Sequence, residues 1–169
     1  MNRYIDKFIL YLDTEKNYSP HTILNYKIDL KEFIQFTDAT PLEKIDYIVL
    51  RRFLAHLRTK QYGSRTLARK ISTLRSFFKF LHKDSLIKEN PAVLLMSPKI
   101  EKTLPKFLSE DEAAQLLDSS LLNKVENKRD KAILEALYSA GMRVSELVGL
   151  NVDAVDLIWN VAKVAGKGK

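Results

Sequence analysis

Residues 65–83 read Arg65-Thr-Leu-Ala-Arg-Lys-Ile-Ser-Thr-Leu-Arg-Ser-Phe-Phe-Lys-Phe-Leu-His-Lys83, and the fold turns on this stretch. Leu67, Ile71, Leu74, Phe78 and Leu81 recur three and four residues apart, which is one face of an α-helix. Arg65, Arg69, Ser72, Ser76 and Lys79 fall on one outward stripe. Gly63-Ser64 breaks the chain ahead of it and caps the start. Such a helix needs apolar partners, and the preceding sequence supplies three. Residues 3–16 repeat Tyr4, Ile5, Phe8, Ile9 and Leu12 at helical spacing. Ser19-Pro20 pairs an N-cap hydroxyl with proline at the first helical position, and opens a helix over 20–37 with Ile23, Tyr26, Leu30, Phe33 and Ile34 inward. Asp46 caps a helix over 47–60 with Val49, Leu50, Phe53, Leu54 and Leu57 on one side. Four helices joined by short loops predict a bundle over 1–83. At this spacing the aromatic side chains read as core rather than as a stacking platform.

The character changes at residue 84. Asn90-Pro91, Ser97-Pro98 and Leu104-Pro105 interrupt any long helix. Pro91–Met96 has room for one helical turn, 84–103 reads as an interdomain linker, and 104–169 as a second domain. Within it, Ser109-Glu-Asp-Glu112 is a capping box that opens a helix over 110–118. A further helix, about 127–140, is expected to bury Ala132, Ile133, Ala136 and Leu137, with Tyr138 packed in the core. Gly141 ends it and Val144–Val148 begins a new turn. Asn151–Asp156 reads as a turn region, Ile158–Ala165 as a strand, and Gly166-Lys-Gly-Lys169 as a hairpin turn without its returning strand. On that pattern the sequence is expected to be an N-terminal fragment.

Composition narrows the function classes. The 169 residues include no Cys, which excludes disulfide scaffolds, thiolate metal centres and thiol nucleophiles. The three histidines are scattered, so neither a metal site nor a cofactor is implied. At 46% hydrophobic and 29% charged the chain is globular, and five Gly with five Pro are too few for an all-β fold. There is no long apolar run and no signal-peptide pattern, so a cytoplasmic location and no membrane partner are expected. The net charge of +7 sits entirely in residues 1–98. Over 51–88, Arg51, Arg52, Arg58, Lys60, Arg65, Arg69, Lys70, Arg75, Lys79, Lys83 and Lys88 face Asp84 alone. Such an excess attracts a polyanion. Nucleic acid is favoured over an acidic protein and over a merely solvated face, since solvated faces usually mix both signs, and a membrane is disfavoured most because the apolar faces of these helices are already used in a core. The candidate DNA contacts are Arg51, Arg52, Arg65, Arg69, Lys70, Ser72, Arg75, Ser76 and Lys79, which suit phosphate oxygens, and an α-helix fits the major groove.

Two segments carry chemistry: Gly141-Met-Arg143-Val-Ser145-Glu146-Leu147, and Gly166-Lys167-Gly168 at a spacing of 24 from Arg143 to Lys167. The second is not a phosphate-binding P-loop, whose Lys opens a helix after a longer glycine loop. Together they resemble the tyrosine recombinases, specifically the Xer-type. Asn17-Tyr-Ser-Pro-His-Thr-Ile-Leu-Asn-Tyr26 followed by Asp29-Leu30, Ser72–Phe80, Glu89-Asn-Pro91 and Leu104–Ser109 match further landmarks of that family along the whole chain.

The resemblance implies a mainly α protein. A four-helix, SAM-like core-binding bundle would be followed by the beginning of a mixed α+β catalytic domain, the two forming a clamp on duplex DNA. It implies metal-free phosphoryl transfer, with a tyrosine attacking the scissile phosphate to give a 3′-phosphotyrosyl link and a 5′-hydroxyl. Arg143 would neutralise the non-bridging oxygens and Lys167 would protonate the leaving oxygen. Glu146 would orient or support the Arg143 turn. The implied partners are a duplex recombination site and other recombinase protomers, identical or paralogous, in a tetrameric synapse. The implied role is chromosome or plasmid dimer resolution. The family's His-x-x-Arg motif and its nucleophilic tyrosine have no counterpart here, so this chain is expected to bind but not to cleave. The alternatives are a non-catalytic DNA-binding homologue that occupies recombination sites, and a helical RNA-binding module.

Overall fold

The computed structural model describes residues 1–38, 40–101, 104–118, 125–164 and 166. The chain divides into two compact units, Met1–Thr103 and Leu104–Lys169.

The first unit holds α1 (Asn2–Thr14), α2 (Pro20–Thr37), a 3-10 turn (Leu42–Lys44), α3 (Tyr47–Thr59) and α4 (Ser64–Lys83). The Ser19 hydroxyl accepts the Thr22 amide at 3.3 Å, and the Asp46 carboxylate accepts the Val49 amide at 2.8 Å. These bonds satisfy amides that the first turn leaves without a helical partner. At α4 the cap residue is Gly63, with no side-chain bond, and Ser64 is already helical. The expected Gly63-Ser64 cap is therefore a break without a hydroxyl cap.

The four helices close on an aromatic core. Phe8, Phe33, Phe77 and Phe78 are fully buried, and Leu12, Leu30, Leu50, Phe53, Leu57, Ile71, Leu74 and Leu81 pack with them. Phe33 meets Phe53 edge-on with centroids 5.1 Å apart, and Phe8 meets Phe77 at 5.4 Å. Burial of each such ring contributes about 1.5–3 kcal/mol. Beyond α4, residues 91–94 form a turn closed by the Leu95 amide bonding to the Ala92 carbonyl at 3.2 Å. Ala92 and Leu95 are buried in the bundle core, and Leu86 and Ile87 pack against it.

The second unit holds α5 (Glu110–Asp118), α6 (Val125–Ala140), α7 (Val144–Val148), a 3-10 turn (Val152–Ala154), and strands β1 (Val155–Asp156) and β2 (Val161–Ala162). The Ser109–Glu112 capping box is formed. Glu112 accepts the Ser109 amide at 2.8 Å, and the Ser109 hydroxyl accepts the Glu112 amide at 3.2 Å. Gly141 leaves α6 at φ +59, a left-handed position that glycine occupies without strain.

Two expectations are corrected here. Ala132 and Ile133 are exposed, Ala136 and Leu137 are half-buried, and Tyr138 is 62% exposed. The apolar face of α6 exists, but little of this unit covers it. The strand expected over 158–165 is confined to Val161–Ala162, and its partner strand precedes the expected range. β1 and β2 pair antiparallel with Val155 opposite Ala162 and Asp156 opposite Val161. The turn therefore falls on 157–160. The cause is local: Asp156 Oδ1 accepts the amides of Ile158 and Trp159 at 2.9 and 3.0 Å, and Asn160 takes a left-handed φ of 52.

Candidate nucleic-acid interface

The outward face of α4 presents Arg65, Arg69, Ser72, Arg75 and Lys79, all exposed, with Ser76 half-buried among them. They stay outward because the rest of the helix circumference is used by the core: Ile71, Leu74, Phe77, Phe78, Phe80 and Leu81 are buried. On α3, Arg51 and Arg52 are exposed, and the Arg51 guanidinium lies 5.9 Å from the Tyr47 ring centre. Tyr26 lies below Ser76; burial pushes its hydroxyl pKa up against a hydrogen bond with Ser76.

Lys70 is not on this face. Its side chain is 4% exposed, and its ammonium donates to Asp29 Oδ1 at 2.8 Å and Glu32 Oε2 at 2.6 Å. The reading of Lys70 as a phosphate contact is corrected accordingly: the charge is spent inside the bundle. Asp29, 3% exposed on α2, also accepts the Thr73 hydroxyl at 3.0 Å and a bond from Arg69. Glu32 further accepts Lys60 Nζ at 2.8 Å and the Tyr62 hydroxyl at 3.2 Å. Burial raises the Glu32 carboxyl pKa, but the hydrogen bonds from Lys60 and Lys70 outweigh it and bring the pKa down to about 2. Burial lowers the Lys70 pKa, and the bonds to Asp29 and Glu32 overcome this and raise it. A buried ammonium survives only with such partners.

Sequence reasoning missed Glu32, Thr73 and Tyr62, and marked Asp29 only as part of a family landmark, without its ionic partners. A signal for them existed. Leu67, Lys70, Leu74, Phe77 and Leu81 alternate three- and four-residue steps, so Lys70 falls on the apolar stripe. Asp29 likewise neighbours Leu30 and Phe33 on α2.

In the second unit Arg143 stands at the N-cap of α7. Glu146, three residues on, accepts the Arg143 amide at 2.8 Å and its Nη1 at 2.7 Å. These two bonds, the backbone one first, hold the Glu146 carboxyl below its ordinary pKa. The Arg143 side chain remains 71% exposed, against 11% for Glu146. Glu146 thus fixes both the turn and one terminal nitrogen of the guanidinium. Lys167 lies outside the described residues. Among the described residues no group of His, Asp and Glu is placed to hold a metal ion, and no helix is long and apolar enough to cross a membrane.

Known proteins match along both units. The model of the phage integrase N-terminal SAM-like domain matches residues 5–84, and that of the phage integrase family matches 106–169. A tyrosine recombinase XerC of Thermodesulfovibrio yellowstonii is 46% identical over 166 residues, covering 98% of this chain and 55% of that protein. The Bacillus subtilis XerC is 41% identical over 172 aligned positions, covering 100% of this chain and 57% of that protein. The chain thus spans a little over half the length of these curated relatives. Among solved structures, a lambda integrase dimer bound to a COC′ core site superposes with a TM-score of 0.71 at 16% identity, covering 98% of this chain and 48% of that one. The Tn1549 transposon integrase in complex with circular intermediate DNA gives 0.66 at 19% identity, covering 91% and 51%. Likeness at these identities concerns the fold.

Proposed function

The chain belongs to the phage integrase family of tyrosine recombinases, and from that premise we propose that it is the duplex-gripping part of a site-specific recombinase. The bundle 1–83, with 84–95 packed against it, is proposed as its core-binding domain, the remainder of 84–103 as its linker, and 104–169 as the start of its catalytic domain. The observation that carries the reading is the exposed run Arg65, Arg69, Ser72, Arg75 and Lys79 along one side of α4, over a helix whose other side is core. Cations and hydroxyls at that spacing suit phosphate oxygens, and a helix face free of bulky apolar groups suits a groove.

The chemistry proposed is transesterification. A tyrosine oxygen bonds to the scissile phosphorus, the bond from phosphorus to the 5′ oxygen breaks, and a 3′-phosphotyrosyl link and a 5′-hydroxyl result. Negative charge concentrates on the non-bridging oxygens as the fifth bond forms. Arg143, with a planar guanidinium largely exposed and anchored at one nitrogen by Glu146, is suited to them. Lys167 is proposed to protonate the departing oxygen. The 169 residues contain no His-x-x-Arg, and these residues alone are proposed to bind a recombination site without a covalent step. Further protomers, the same or paralogous, would complete a synapse of four. The proposed setting is chromosome or plasmid dimer resolution.

The test is salt-dependent duplex binding. About five phosphate contacts give a slope of log K against log salt near −4 to −5. Changing Arg65, Arg69 and Lys79 together to Ala should flatten that slope with the helical signal intact. Binding that ignores salt refutes the reading, and preference for structured RNA over duplex DNA replaces it with an RNA-binding module.

A further inference from the structure

The ionic cluster beneath α4 holds more cations than it needs. Asp29 and Glu32 bring two negative charges, and Lys70 reaches both carboxylates. Yet Arg69 also bonds to Asp29, and Lys60 also bonds to Glu32 at 2.8 Å. The two added cations are the outer ones: the Arg69 side chain is 41% exposed and that of Lys60 43%. The cluster therefore carries a surplus positive charge, placed at the surface beside the α4 face. Arg69 gives Asp29 one terminal nitrogen, while a guanidinium offers five N–H groups across three nitrogens. The others remain for an acceptor outside the protein.

We propose that Asp29 is a positioning residue for DNA binding: it holds one nitrogen of Arg69 so that the rest of the guanidinium is presented to a backbone phosphate, while Lys70 and Thr73 fix the carboxylate from beneath. This rests on the duplex-binding reading above. An exposed arginine ordinarily loses rotamer freedom when it grips a phosphate, and that loss opposes binding. Here the loss is taken on folding. The Asp29 carboxylate can act as an anchor because it is itself immobile: it is 3% exposed, with bonds from Lys70 Nζ at 2.8 Å and the Thr73 hydroxyl at 3.0 Å. Arg75 and Lys79 on the same face have no such anchor among the described residues, so they serve as references for Arg69.

The discriminating variant is charge-neutral. Asp29→Asn with Lys70→Met removes one negative and one positive charge together, and leaves no lone buried ion. If net charge alone governs binding, affinity for a mixed-sequence DNA duplex stays at the wild-type value. Positioning predicts a loss of about 3- to 10-fold, the factor for leaving one long side chain unordered. Arg69→Ala should then cost clearly less in that background than in the wild type. The full 169-residue chain is used, with circular dichroism melts to confirm folding and Lys79→Ala as a reference. If Lys79→Ala weakens binding while the Asp29/Lys70 variant binds as the wild type, the positioning role is refuted and the DNA reading stands. If the wild type shows no salt-dependent duplex binding, the DNA reading fails and the positioning role fails with it. Should the double variant not fold, nuclear magnetic relaxation of the Arg69 Nε–H group in the unaltered protein, assigned by its loss in Arg69→Lys, decides the matter. Arg69 restricted before DNA is added supports the proposal, and Arg69 as mobile as a free surface arginine overturns it.

Discussion

Replacing Glu32 by Gln should make the stability of the bundle respond to pH in a way that isolates one carboxylate. Glu32 keeps 15% of its side chain exposed and accepts Lys60 at 2.8 Å, Lys70 at 2.6 Å and the Tyr62 hydroxyl at 3.2 Å. Burial works against its ionisation, the two ammonium groups more than compensate, and its pKa falls from 4.5 to about 2. The folded pKa is below the unfolded one, so the unfolded chain takes the proton first as pH falls. The stabilisation is therefore complete above about pH 5 and is lost between 4.5 and about 2. At about 1.4 kcal/mol per pH unit the interval corresponds to about 3 kcal/mol, and water at the rim of the cluster trims it to about 2–3 kcal/mol. Glutamine does not titrate. Urea unfolding followed by far-ultraviolet circular dichroism should find Glu32→Gln less stable by that amount at pH 7, with the gap closing towards pH 2–3. The only tryptophan, Trp159, lies in the Leu104–Lys169 unit, so its fluorescence follows that unit separately. A gap that stays constant from pH 7 to pH 3 would refute the argument, since the contribution of Glu32 would then not be that of its charge.

Phe33→Ala should destabilise the bundle by about 3–5 kcal/mol, because the ring is fully buried between Phe53 and Phe78; a urea midpoint close to the wild type would contradict the packing. Limited proteolysis should cut first within 97–107, where Met96, Leu104 and Phe107 nearby are 85%, 90% and 88% exposed, and not within 84–95, which is anchored by buried Ala92 and Leu95. On a nicked suicide duplex, which lets a short 5′-hydroxyl fragment diffuse away, the 169 residues should form no covalent adduct. An adduct that vanishes in Tyr138→Phe would make that exposed tyrosine a nucleophile and overturn the proposed division of roles.

The four helices of the bundle were legible because the information that makes them is local. Ser19-Pro20 and Asp46 mark helix starts by side chains that bond amides three residues on, and the apolar spacing names the inward face of each helix. The second unit was less legible for the same reason. Periodicity along α6 shows that Ala132, Ile133, Ala136 and Leu137 share a side, but not whether anything covers it, and here little does. The start of the strand was misplaced because strand propensity in Ile158-Trp159 is overridden by one carboxylate: Asp156 takes both of their amides and bends the chain at the point where a strand was expected.

Lys70 shows where counting charge departs from reading structure. Its partners Asp29 and Glu32 are 41 and 38 residues away, and no pattern within 51–88 announces them. The sequence gives that stretch eleven cations against one acid. Folding brings two acids of α2 beneath it, and one cation disappears into the core. The positive charge this face exposes is thus smaller than the formal excess, and two of its cations are tied to carboxylates. Arg69 and Lys60 stay partly exposed while each is tied to a carboxylate below. The salt dependence of binding counts only the cations that reach phosphate, so the slope expected from the exposed residues of α4 and their neighbours, near −4 to −5, is smaller than the total written in the sequence would give. If the proposed duplex binding holds, the buried acids would weaken the attraction at long range and fix its geometry at short range, where phosphate contacts set register along a duplex.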